Sequence, residues 1–195
     1  RILRSAAEAL RLREGAALTQ ERADAIRDAA LEATARTHAL RRLARSDATA
    51  ASLRRTLVER CGIDETGAAG VVKHLVADGW VDDARYARDR AARLAAERGL
   101  AGEAIASILV EEGVPERVAS RAAAAAAPTA MDASRALAIA RSVAPPSKTP
   151  SKGTGRDAPG RRRAKIARTL AAKGFDADTI SGVLERLGIA DDLDA

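Results

Sequence analysis

The residues able to do chemistry are few, and their spacing argues against catalysis. His38 and His74 are the only histidines and Cys61 the only cysteine. A nucleophilic site needs nucleophile, base and orienting group together, and nothing around these three reproduces such a context. Cys61, next to a helix-closing Gly62, reads as a small half-buried residue. A lone cysteine excludes an intrachain disulfide and a cysteine zinc cluster, and fits a reducing, cytoplasmic compartment. Asp82 and Asp83 have the form of paired carboxylates, but no third ligand lies in a metal-binding pattern with them. They read instead as helix-start residues that accept backbone N–H bonds and favour the positive dipole end. Gly153 and Gly155 follow no strand and lack the Gly-Lys-Ser/Thr ending of a phosphate loop. No catalytic residue, metal or cofactor is therefore expected, and the chain reads as a binder, not an enzyme.

The charged residues say more. The net charge of +6 is unevenly spread. Residues 34–60 carry seven basic against two acidic side chains, and residues 145–173 nine against one. The tail from Gly174 to Ala195 is acidic. Two basic blocks on a near-neutral scaffold are the footprint of a polyanion or an acidic protein surface. In the first block Arg41, Arg42, Arg45, Arg54 and Arg55 are the candidate contacts. In the second, Arg161, Lys165 and Arg168 fall at i, i+4 and i+7 on one helix face, Arg162 and Arg163 thicken that patch, and Ile166 and Leu170 turn to the core.

The elements that position these residues are helices. A pattern is written three times: two apolar residues four apart, a glycine, a large apolar residue, and a helix-starting Asp or Pro. The copies are Leu53, Leu57, Gly62, Ile63, Asp64; then Ile105, Leu109, Gly113, Val114, Pro115; then Ile166, Leu170, Gly174, Phe175, Asp176. Apolar residues four apart share a helix face, and glycine past the last turn takes the left-handed closing conformation. Gly79 repeats the device, and Trp80 reads first as a core residue folding back and packed against Tyr86, with an anchor for a partner as the alternative. A spacing of about fifty to sixty residues is that of stacked helical units.

Thr19 is set to cap a long helix reaching Leu43, and Asp47 or Thr49 the next. Further helices are expected after Asp64, from about Asp83 to Glu97, at 102–112, 115–127, 131–143, 161–173 and 177–187. A short helix is expected after Ser5, with a turn at Glu14-Gly15. Residues 145–160 read as a Pro-, Gly- and Ser-rich flexible linker. The core must be thin, since 47% of residues are hydrophobic but only 2% aromatic. The expected organisation is an N-terminal helical segment (1–33), three-helix repeats at 34–81, 82–128 and 129–189, the last split by the linker, and an acidic tail (190–195). The fold class is all-α, an elongated tandem array. No strand is expected, nor any membrane-spanning segment.

Between the first two repeats lies Asp78-Gly79-Trp80-Val81-Asp82-Asp83-Ala84-Arg85-Tyr86-Ala87. With the three repeats, and with Leu12-Arg13-Glu14-Gly15 upstream, it resembles the RecX family of bacterial recombination regulators. The resemblance covers about residues 10–189 apart from the linker. It implies three tandem three-helix units and structural roles for Gly62, Gly79, Trp80, Asp82, Asp83, Arg85, Tyr86, Gly113, Gly174 and Phe175. It also implies a monomer that binds the RecA recombinase filament on single-stranded DNA, lodges in its groove and limits extension, ATP hydrolysis and strand exchange. The linker and the alanine-heavy stretch Ala122–Ala127 depart from the family pattern. The competing readings are an independent DNA-binding protein and a helical adaptor without a nucleic-acid link.

Overall fold

The computed structural model describes Glu8 and residues 19–144 and 158–189. The expected turn at Glu14-Gly15, most of the linker and the acidic tail lie outside these residues, and of the expected first helix only Glu8, which is helical, lies within them. All regular structure among the described residues is helical. It comprises α1 (Gln20–Leu43), α2 (Ala50–Cys61), α3 (Glu65–Ala77), α4 (Asp83–Arg93) continued by a π turn (Leu94–Arg98), α5 (Gly102–Glu111), α6 (Glu116–Ala126), α7 (Asp132–Val143) after a 3-10 turn (Thr129–Met131), α8 (Ala158–Ala171) and α9 (Ala177–Arg186). The chain forms two compact units: Arg1–Tyr86 with Glu112–Val114, and Ala87–Glu111 with Pro115–Ala195. Helix α1 runs unbroken across position 33–34.

In the first unit, Thr19, Thr49 and Asp64 cap α1, α2 and α3 through their side-chain oxygens, accepting from the N–H groups of Arg22, Ser52 and Gly67. Each such bond satisfies a donor that the helix itself leaves without a partner. Helices α1, α2 and α3 pack on one another around Ala35, Ala39, Leu53, Leu57, Ile63, Ala68, Val71, Val72, Leu75 and Val81. Alanine on α1 lets the longer side chains of α2 and α3 come close.

The second unit joins the α5–α6 pair to a bundle of α7, α8 and α9. Buried alanines dominate α6 (Ala119, Ala122, Ala123), and a Cβ on Gly102 would lie 3.0 Å from the Ala127 carbonyl oxygen. Small residues here let backbones approach where larger side chains would not fit. The bundle closes on Ala136, Ala140, Ile166, Leu170, Phe175, Val183, Leu184 and Ile189, and Ala101 joins the same core. Ala101 also donates its N–H to the Lys173 carbonyl (2.8 Å). Helix α8 begins at Ala158, not at Arg161, so the expected linker is shorter at its C-terminal side. Pro159 falls in the first turn, where its missing N–H breaks no helix bond.

A two-bond closure ends three helices. After α3, Gly79 N–H reaches Val76 O and Trp80 N–H reaches Leu75 O; the pair recurs at Gly174–Phe175 and Gly188–Ile189. This is the Schellman arrangement, in which the residue after the glycine folds onto the last turn. Phe175 and Ile189 do so and are buried. Trp80 does not. It is 55% exposed, and Val81, 3% exposed, occupies the core place instead. The expectation of a core Trp80 packed on Tyr86 is corrected. Val81 N–H bonds to the same Leu75 carbonyl as Trp80 N–H (3.3 and 2.9 Å).

Candidate nucleic-acid and protein interface

The Asp-Asp-x-Arg-Tyr-Ala segment forms a structural joint within the first unit. Asp82 caps its own helix, accepting from Ala84 and Arg85 N–H (both 2.9 Å). Asp83 reaches a different helix: its carboxylate accepts the Ala50 N–H at the start of α2 (2.8 Å), 33 positions back in the chain. Tyr86 donates its hydroxyl to the Glu112 carboxylate (2.8 Å), while buried Thr49 donates its own to the Glu112 carbonyl (2.7 Å). Sequence reading found the caps but not these partners, because nothing local to Asp83 or Tyr86 points to Ala50 or Glu112. Arg85 is exposed.

Of the first basic block, Arg41, Arg42 and Arg45 converge. With His38, Ser46, Thr56, Glu59 and Arg60 they line an open depression of about 530 Å³. Arg60, absent from the sequence-based set, joins them from the last turn of α2, 6 residues beyond Arg54 in the chain. Arg54 and Arg55 do not line it, and Arg54 pairs with Glu65 (3.3 Å).

The second block also divides. Arg161, Lys165 and Arg168 are exposed, and Ile166 and Leu170 are fully buried, as the spacing predicts. Lys165 and Arg168, with Arg98, Lys173, Glu97 and Thr169, line a second depression of about 560 Å³. Arg98 and Lys173 lie 75 positions apart, so no local pattern joins them, yet Lys173 Nζ donates to the Arg98 carbonyl. Arg162 and Arg163 are half-buried and hold main chain: Arg162 Nε and Nη2 donate to the Ala144 carbonyl (3.2 and 2.9 Å), and Arg163 Nη1 to the Ile189 carbonyl (3.3 Å). They staple the ends of α7 and α9, so they do not simply thicken the exposed patch.

A further half-buried arginine organises the second unit. Arg135 pairs with Asp132 (3.0 Å), donates to the Leu100 carbonyl (2.7 Å) and stacks its guanidinium 5.9 Å from the Phe175 ring centroid. Burial pushes the Asp132 carboxyl above its ordinary range, against the opposing pull of Arg135. Bonds from the Thr179 N–H and hydroxyl hold the Asp176 carboxyl below it. Burial raises the Cys61 thiol, the opposite of what activates a nucleophile. Among the described residues no group of three or more His, Cys, Asp or Glu is placed to hold a metal, and no helix is long and apolar enough to cross a membrane.

These helices define an all-α, RecX-like fold. The crystal structure of RecX from Lactobacillus salivarius superposes with a TM-score of 0.66 at 18% identity, over 83% of this chain and 99% of that one. A crystal structure of the regulatory protein RecX superposes with a TM-score of 0.73 at 20% identity, over 94% of this chain and 86% of that one. No protein-family model and no curated protein sequence matches the chain.

Proposed function

We propose that this chain is a RecX-type regulatory protein that binds the RecA recombinase filament on single-stranded DNA. Lodged in the filament groove, it limits extension and so lowers ATP hydrolysis and strand exchange. The observation that carries the reading is the RecX-like fold, shared with two crystal structures over most of each chain. The cations lining the two depressions, Arg41, Arg42, Arg45 and Arg60 in one and Lys165, Arg168, Arg98 and Lys173 in the other, supply charge for steering and register. On this reading the protein is a cytoplasmic monomer without catalytic activity, and its helices act as repeated units along the filament.

The two basic depressions favour a second reading, an independent DNA-binding protein. Against it, α9 carries Asp178 and Glu185 and is capped by Asp176, so it is poorly suited to enter a groove lined by phosphates.

The deciding experiment is RecA ATP hydrolysis on single-stranded DNA, titrated with this protein, with its own DNA binding measured in parallel. Inhibition at amounts too small to cover the DNA supports the filament regulator. Inhibition only at saturation of the DNA supports the second reading. A folded protein with neither effect defeats both.

A further inference from the structure

We infer that the depression between the end of α1 and the end of α2 is a binding site for a phosphate group, and for a phosphate monoester in preference to a diester. Four arginines, Arg41, Arg42, Arg45 and Arg60, line it against one carboxylate, Glu59. Gathering like charges on facing helices is unfavourable unless an anion joins them. Guanidinium groups present planar, forked donors that match phosphate oxygens, and they act in pairs more readily than lysines. Two polar atoms on its lining residues, Arg42 Nε and His38 Nδ1, are buried and have no hydrogen-bond partner in the protein. A buried donor left without a partner is unfavourable, so the protein by itself leaves the polar lining of this depression unsatisfied at Arg42. The other basic depression lacks this feature. There Lys173 Nζ is committed to the Arg98 carbonyl and Arg168 Nε to the Ala164 carbonyl (3.2 Å).

The charge balance selects the form of phosphate. A terminal phosphate carries about −1.5 to −2 near neutral pH and offers three strong acceptor oxygens. A bridging diester carries a single charge and offers two such oxygens, so it uses fewer of the four forks. A monoester reaches the site from a free nucleotide or from the 5′ end of a strand. The inference does not rest on the filament reading, since it concerns binding by the isolated chain.

The test uses the full chain and calorimetric titration at fixed salt with inorganic phosphate, ADP, and a short oligonucleotide carrying either a 5′-phosphate or a 5′-hydroxyl. Saturable binding is expected, with the 5′-phosphate strand bound more tightly than its 5′-hydroxyl counterpart. Tighter binding of ADP than of the 5′-phosphate strand assigns the site to free nucleotide, and the reverse order to strand ends. Removing one charge-assisted donor, in Arg42→Gln or separately in the exposed Arg60→Gln, is expected to weaken binding roughly tenfold or more. Arg117→Gln, the same charge change on an exposed arginine of the other unit, is expected to leave it unchanged. Equal loss in all three variants, equal binding of the two strands, or no saturable binding of any probe overturns the inference. RecA inhibition is read in a separate assay, so its failure is not confused with this one.

Discussion

Trp80 and Val81 are successive residues at a helix end, and only one of them enters the core. Both N–H groups turn to Leu75 O, and the second of the two side chains fills the core. Trp80→Ala is therefore expected to leave the thermal melt of the chain nearly unchanged. Val81→Ala is expected to destabilise by about 1–3 kcal/mol, the range for trimming a buried aliphatic side chain. Equal effects in circular-dichroism melts would return the tryptophan to the core. Asp176 gives a pH signature at the same scale. Its folded-state pKa is depressed by the Thr179 bonds, so its contribution is present at neutral pH. That contribution fades as the pH falls through the depressed value. The stability gap between wild type and Asp176→Ala should be widest near neutrality and close in acid, as urea unfolding at a series of pH values would show.

At the scale of elements, the repeated glycines differ in what surrounds them. Gly62 has φ +65° with open space where a Cβ would go. Gly113 has φ +90°, and a Cβ there would lie 2.9 Å from Ala51 Cβ and 3.0 Å from Thr49 Oγ1. Gly62→Ala should cost only the left-handed backbone term, about 1–2 kcal/mol. Gly113→Ala should cost more, since it also pushes against the residue that caps α2 and holds Glu112. Chemical denaturation of the two variants side by side measures the difference; equal values would mean that Ala51 and Thr49 yield freely. Asp83→Ala, which leaves the Ala50 N–H without its acceptor, should cost about 1 kcal/mol, the usual loss for a helix cap. An unchanged melt for that variant would show that another acceptor takes over.

At the scale of the whole molecule, two basic clusters sit on a RecX-like scaffold, and not every arginine in them is available to a partner. Reversing Arg161, Arg162, Arg163 and Lys165 together is expected to disturb folding, because Arg162 and Arg163 hold the Ala144 and Ile189 carbonyls. Lys165→Glu with Arg168→Glu changes exposed residues alone. It should keep the wild-type melt and, on the proposed filament reading, weaken inhibition of RecA ATP hydrolysis by roughly tenfold or more, as lost charge pairs at an interface do. Full inhibition by a folded double variant would exclude that face. The helices, their caps at Thr19, Asp64 and Asp176, the cap of α2 to within Asp47 or Thr49, and the inward faces of α2, α5 and α8 were legible in the sequence, because each depends on residues within a turn or two of one another. The joins were not. That Asp83 caps α2, that Arg162 holds the end of α7, and that Arg60 completes one basic depression and Arg98 another all depend on residues remote in the chain coming together. Local periodicity and capping are properties of short stretches of chain, whereas those contacts exist only once packing has brought remote stretches together.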